Sequence, residues 1–155
     1  MTEVILYRSI VVTFIIMYYL IYTSTAEPEV DEVELYDILN RSVKNNKELD
    51  ITGMLVYHDG SFIQLLEGDR ERVHSIYRKI KNDARHRNVI KLSSGEHEDR
   101  CFPNWSMALE VVHEKTFSEI SAFRSLDSSD LFFDELNQNH VGLKLIRYFY
   151  SINQR

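Results

Sequence analysis

Two apolar runs joined by one dipeptide constrain this chain more than any other feature. Ile51-Thr52-Gly53-Met54-Leu55-Val56-Tyr57 leads through His58-Asp59-Gly60-Ser61 into Phe62-Ile63-Gln64-Leu65-Leu66-Glu67. Asp-Gly between runs of strand formers is the strongest short-range signal for a tight β-hairpin, because both residues tolerate the left-handed backbone that such a turn requires. The middle of the sequence is therefore an antiparallel strand pair.

The remaining elements arrange themselves around that pair. Upstream, Tyr18-Tyr19-Leu20-Ile21-Tyr22 is rich in strand formers and reads as a buried first strand. Asp31 followed by Glu34 has the spacing of a helix cap, and Leu35, Ile38, Leu39 and Val43 recur at helical spacing, which predicts a helix from about Glu32 to Asn46. Downstream, Val73, Ile76, Tyr77 and Ile80 share one face of a second helix that stops near Asp83. Val89 to Ser93 and Trp105 to Val112 read as two more strands. The order strand, helix, strand, strand, helix, strand, strand is a split βαβ pattern extended by one strand. It predicts an α+β, ferredoxin-like sheet of about five strands with two helices on one face. Beyond His113, Phe117 to Phe123 and Val141 to Ile152 read as two C-terminal helices. Their aromatic neighbours Phe132, Phe133, Tyr148, Phe149 and Tyr150 are too numerous for a solvated tail, so these helices are expected to cover the other sheet face or a partner chain.

Bulk properties narrow the function classes. The 155 residues, 44% of them hydrophobic, suffice for one domain with a core and a modest appendage. A net charge of −6 and the absence of a basic cluster argue against nucleic-acid binding, which depends on Lys and Arg neutralising phosphates. Cys101 is the single cysteine, so no intrachain disulfide or thiolate cage is available, which suits a reducing cytoplasm. His97, Glu98, Asp99 and Cys101 crowd one stretch, but no second ligand cluster follows at zinc spacing, and no metal is expected. With no glycine-rich dinucleotide loop and no nucleophile–base pair in evidence, no enzymatic activity is expected either.

The N-terminal run from Ile10 to Tyr22, interrupted only by Thr13 and followed by Thr23-Ser24-Thr25-Ala26, admits two readings. One is a secretory signal cleaved after Ala26; the other is the first strand. The run is too short for a comfortable membrane span, which needs about 20 apolar residues.

Strand alternation makes Leu20, Tyr22 and Ser24 point one way on the first strand, gives Phe62, Gln64 and Leu66 a common face on the third, and gives Trp105 and Met107 a common face on the last. Gln64 on an otherwise apolar face is the informative residue. Burying an amide without partners costs roughly 2–7 kcal/mol, so Gln64 is either a core glutamine bonded to backbone carbonyls or part of a site.

The segments Leu20-Ile21-Tyr22-Thr23-Ser24-Thr25-Ala26, Asn45-Asn46, Ile51 to Tyr57, Gly60 to Gly68, Asp83-Ala84-Arg85-His86 and Trp105-Ser106-Met107 resemble, in order and spacing, those of BLUF domains, which sense blue light with a flavin. The resemblance spans about residues 17 to 112. It implies that Tyr22 is a photoactive tyrosine bonded to Gln64, that Gln64 touches the flavin, and that Asn46 with its neighbour Asn45 meets the polar edge of the ring. It implies further that Ile38 and Ile80 sandwich the ring, that Asp83, Arg85 and His86 meet the ring edge and the ribityl-phosphate arm, that Trp105 and Met107 respond to light, and that Ser24 lines the pocket near Tyr22. The implied cofactor is FAD, with FMN or riboflavin as alternatives. Residues 1–16 are then an extension, residues 17–112 the flavin-binding domain, and residues 113–155 a helical cap or an oligomer or partner element. The expected protein is a cytoplasmic light sensor that forms homo-oligomers and signals to a downstream protein, bound to neither nucleic acid nor membrane. A flavin-free interaction module of the same fold, a small flavin-dependent redox protein and an exported protein are the competing classes. The chain departs from the family pattern in its apolar extension and in carrying Tyr18 and Tyr19 where a basic residue is common.

Overall fold

Asp59 and Gly60 both take positive φ, 43° and 75°, and form the two-residue loop between paired His58 and Ser61. The Asp-Gly signal thus marks a hairpin in the computed structural model, which describes residues 16–27, 30–103, 107–111 and 140–153. Its strands are β2 (Thr52–His58) and β3 (Ser61–Gly68). The other strands are β1 (Met17–Ala26), β4 (His86–His97) and β5 (Ala108–Val111). The helices are α1 (Glu32–Glu48), α2 (Arg70–Lys81) and α3 (Val141–Asn153).

The sheet order is β4-β1-β3-β2-β5. β3 lies antiparallel between β1 and β2, β4 is antiparallel to β1, and β5 runs parallel to β2. This interleaving is the split βαβ arrangement expected of a ferredoxin-like α+β fold. β2 and β3 approach closely at Gly53, where a Cβ would lie 1.9 Å from the Leu65 carbonyl oxygen. Any side chain there would collide with backbone.

Two strand expectations need correcting. β4 spans His86–His97 rather than Val89–Ser93, because it is an edge strand pairing with β1 along almost its whole length, with register shifts near Ile21 and Thr23. Hydrogen bonding, not apolar alternation, defines it, so its polar ends escape a reading based on hydrophobic pattern. Among the described residues β5 covers Ala108–Val111, with Met107 standing just ahead of it; Trp105 and Val112 lie outside the described residues.

The sheet has a core on each face. On one, Leu20, Tyr22, Leu55, Phe62 and Leu66 pack against Leu35, Ile38 and Leu39 of α1 and Val73 and Ile76 of α2. α1 begins where expected because Asp31 and Glu34 form a reciprocal capping box, satisfying backbone donors the helix cannot. On the opposite face, Tyr19, Ile21, Met54, Val56, Ile63 and Leu65 are covered by Leu143 and Ile146 of α3 and by Cys101 and Phe102. Phe117 to Phe123, Phe132 and Phe133 lie outside the described residues. Among the described residues no helix is long and apolar enough to cross a membrane.

Candidate functional site

Tyr22 on β1 and Gln64 on β3 are register partners, so both project toward α1 and α2. Tyr22 is fully buried and Gln64 is 3% exposed. The Tyr22 hydroxyl donates to Gln64 Oε1, and Gln64 Nε2 donates to Met107 Sδ at 3.3 Å. Both ends of the amide are therefore held by side chains rather than by backbone carbonyls. Burial drives the Tyr22 phenol far above its ordinary pKa, reinforced by the nearby Tyr77 and Asp83, so it is neutral at any physiological pH.

A cleft of about 740 Å³, its open mouth included, lies beside this pair. α1 lines it at helical steps with Ile38, Arg41, Ser42, Asn45 and Asn46, and α2 with Ile76, Lys79 and Ile80. Leu55 and Gln64 form its floor, and Asp83, Arg85 and His86 close one end. Asn46 is buried in the last turn of α1, while Asn45 stands at the exposed mouth. The backbone carbonyl of Asn46 accepts from the amides of Leu49 and Ile51, fixing the turn out of the helix.

The closed end is an ionic and hydrogen-bonded brace. Arg85 donates through Nε to Asp83 Oδ1 at 3.0 Å and through Nη2 to Oδ2 at 2.6 Å, and it also reaches Asp37 Oδ2 at 3.2 Å. Hydrogen bonding from Arg85 is the main cause that lowers the Asp83 carboxyl to about 2. His86 Nδ1 lies 2.9 Å from Ser24 Oγ, and burial, helped by Arg85, keeps its pKa below the usual histidine value.

Most of the expected residues therefore surround one cleft. Tyr22 and Met107 lie behind Gln64, and Ser24 reaches the site through His86 rather than by lining the cleft. Arg41, Ser42, Leu55, Ile76 and Lys79 were missed. Helix periodicity offers the signal for four of them: positions 38, 41, 42 and 45 recur on one face of α1, as 76, 79 and 80 do on α2. The donor set suits a flavin. Aliphatic Ile38, Leu55, Ile76 and Ile80 can flank a planar ring, three amides can meet its polar edge, and Arg41 and Lys79 offer charge for a phosphate arm.

An aliphatic-walled cleft beside a buried phenol–amide pair suits a flavin-based sensor domain. Residues 17–108 match the family described as BLUF, sensors of blue-light using FAD. The chain is 33% identical over 89 residues to the photoactivated adenylate cyclase subunit beta of Euglena longa, covering 57% of this chain and 10% of that protein. It is 36% identical over 73 residues to the blue light- and temperature-regulated antirepressor of Escherichia coli (strain K12), covering 47% and 18% respectively. Its fold matches BlsA in the photo-activated state with a TM-score of 0.61 at 25% identity, over 89% of this chain and 94% of that one. The chain belongs to the BLUF family, whose domains sense blue light with a flavin. It spans 10% to 18% of the length of these two curated relatives.

Proposed function

We propose that this chain is a cytoplasmic blue-light photoreceptor, without catalytic activity of its own, that holds FAD and passes its response to a partner protein. The observation that carries the reading is the buried series of Tyr22 hydroxyl, Gln64 amide and Met107 sulfur, which meets the cleft at Gln64. Ile38 and Ile80 would flank the ring, and Asn45 and Asn46 would bond its polar edge. Asp83, Arg85 and His86 would meet the ring edge and the ribityl-phosphate arm, with Ser24 fixing His86. Arg41 and Lys79 favour a phosphate-bearing flavin over riboflavin, and the family's description favours FAD over FMN.

A bound flavin supplies blue-light absorption and, once excited, an electron acceptor. Tyr22 is the donor. Its phenol holds its proton until the electron has left, then becomes a strong acid. Gln64 Oε1 is already placed to receive that proton. Once an electron and a proton have returned to Tyr22, the amide is left rotated or as a tautomer and presents a different donor–acceptor pattern to the cleft. The same change alters the bond to Met107 Sδ, immediately before β5. Light thus shifts the population between two hydrogen-bonded states, read out through β5, Trp105 and the C-terminal residues.

Residues 17–112 form the sensor in this reading, residues 113–155 a cap that also serves oligomer or partner contacts, and residues 1–16 an extension. β1 supports a cytoplasmic location: cleavage after Ala26 would remove a strand bonded on both edges and the photoactive phenol with it. The test is a visible spectrum of the purified chain before and after blue light, with the released cofactor identified chromatographically. A yellow protein releasing FAD and showing a small reversible red shift is expected. A colourless protein would favour the flavin-free interaction module.

A further inference from the structure

On the sheet face away from the flavin cleft, three potential ligands from distant parts of the chain converge. Glu67 lies near the end of β3, Cys101 follows β4, and His140 immediately precedes α3. They are 1%, 3% and 1% exposed. One ligand atom of each lies within 4.8 Å of the other two. Spacings of 34 and 39 residues hide such a group from any reading of local motifs.

Part of this arrangement is structural. Glu67 Oε1 accepts from the Cys101 amide at 2.7 Å and Oε2 from the Phe102 amide at 3.1 Å, tying the loop to the sheet. The His140 ring packs between Tyr19 and His97, with centroids at 4.6 and 4.5 Å. Its Nδ1 accepts from the Gly142 amide at 3.0 Å and caps the first turn of α3. These contacts leave one atom unexplained. His140 Nε2 is the single buried side-chain nitrogen or oxygen among the described residues with no hydrogen-bond partner. An unpaired polar atom on a buried imidazole that packs with a carboxylate and a thiol is costly unless something binds there.

We infer that Glu67, Cys101 and His140 form a site for a borderline-soft divalent cation, Zn²⁺ by its donor set. One sulfur, one imidazole nitrogen and one carboxylate oxygen are zinc ligands, whereas Mg²⁺ and Ca²⁺ require six or more oxygens. Three protein ligands leave the fourth tetrahedral position to a non-protein ligand. The thiol proton is released to solvent as the thiolate binds. Nε2 must offer its lone pair, so the imidazole proton moves to Nδ1, which can then no longer accept from Gly142. Metal occupancy and the α3 cap therefore exclude one another. The cation would fasten β3 to the residues ahead of α3 while loosening the first turn of that helix. Zinc would in this way act on the element covering the far sheet face, independently of flavin.

The test is calorimetric titration of chelator-treated full chain with ZnCl₂, alongside Cys101→Ser and His140→Ala. Co²⁺ difference spectra would provide a thiolate signature. One equivalent of Zn²⁺ per chain is expected, weakened at least tenfold in each variant, with a cobalt–thiolate band that disappears in Cys101→Ser. Should a variant misfold, a rise in the wild-type melting temperature with Zn²⁺ but not with Mg²⁺ still supports the site. Absence of stoichiometric binding, or binding unchanged in both folded variants, would overturn it. Flavin content and photochemistry are scored separately, so failure here leaves the sensor reading standing.

Discussion

Tyr22 and Gln64 face each other across the β1–β3 ladder and share a hydrogen bond from phenol to amide. Their meeting is a property of strand register. A slip of one residue would turn one of them to the opposite face. Leu55 on β2 is the next register partner of Gln64 and also pairs with Leu109 on β5. The amide reaches past Leu55 to Met107, so a polar series crosses the sheet from β1 toward β5 over an apolar floor.

Met107→Leu removes the sulfur acceptor while nearly conserving volume, which costs less than about 1.5 kcal/mol in stability. The dark arrangement loses one weak hydrogen bond, worth at most about 1 kcal/mol. Flavin binding and the light-induced shift should persist, with dark recovery slowed by up to about fivefold. Time-resolved absorbance after a blue pulse measures this. Recovery at the wild-type rate would remove Met107 from the switching network.

Asp83→Asn tests the brace at the end of the cleft. Because the folded carboxyl titrates at about 2, below its unfolded value of about 3.9, its stabilisation is full above the unfolded pKa. It is lost as pH falls through the folded one. The variant should be less stable at neutral pH, lose less of its stability between about pH 4 and 2, and bind flavin more weakly as Arg85 loses its anchor. Denaturant melts across that range decide the matter; parallel acid limbs for both proteins would contradict it.

Truncation after Val112 removes Leu143 and Ile146, whose burial contributes roughly 1.5–3 kcal/mol each, and uncovers Tyr19, Ile21, Ile63 and Leu65. Lower thermal stability and a changed association state are expected by calorimetry and light scattering. A truncated chain that melts and associates like the full one would refute a covering role for the C-terminal residues.

Deleting residues 1–16 should leave flavin binding and photochemistry intact, because β1 begins at Met17. A shortened chain that cannot fold or bind flavin would make the extension part of the architecture.

The hairpin and the start of α1 were legible from local chemistry, Asp59-Gly60 at the turn and Asp31 with Glu34 at the cap; the Tyr22–Gln64 pair was legible only through the resemblance to BLUF domains, since alternation assigns each residue a face of its own strand but not a partner. β4 was underestimated because its edge carries polar residues, and His86 was expected near the ring without its bond to Ser24 being foreseeable. The cleft walls at Ile76 and Lys79 follow from helix periodicity only once the facing helix is known. The convergence of Glu67, Cys101 and His140 depends wholly on tertiary packing.

The most direct test of the central claim is the light-minus-dark visible spectrum of the wild type beside Tyr22→Phe and Gln64→Leu. The wild type should show a small reversible red shift of the flavin band. Both variants should retain flavin and lose the shift, since one lacks the phenolic proton and the other the amide that receives it. Flavin-loaded wild type unchanged by blue light, or either variant photoconverting normally, would contradict the account.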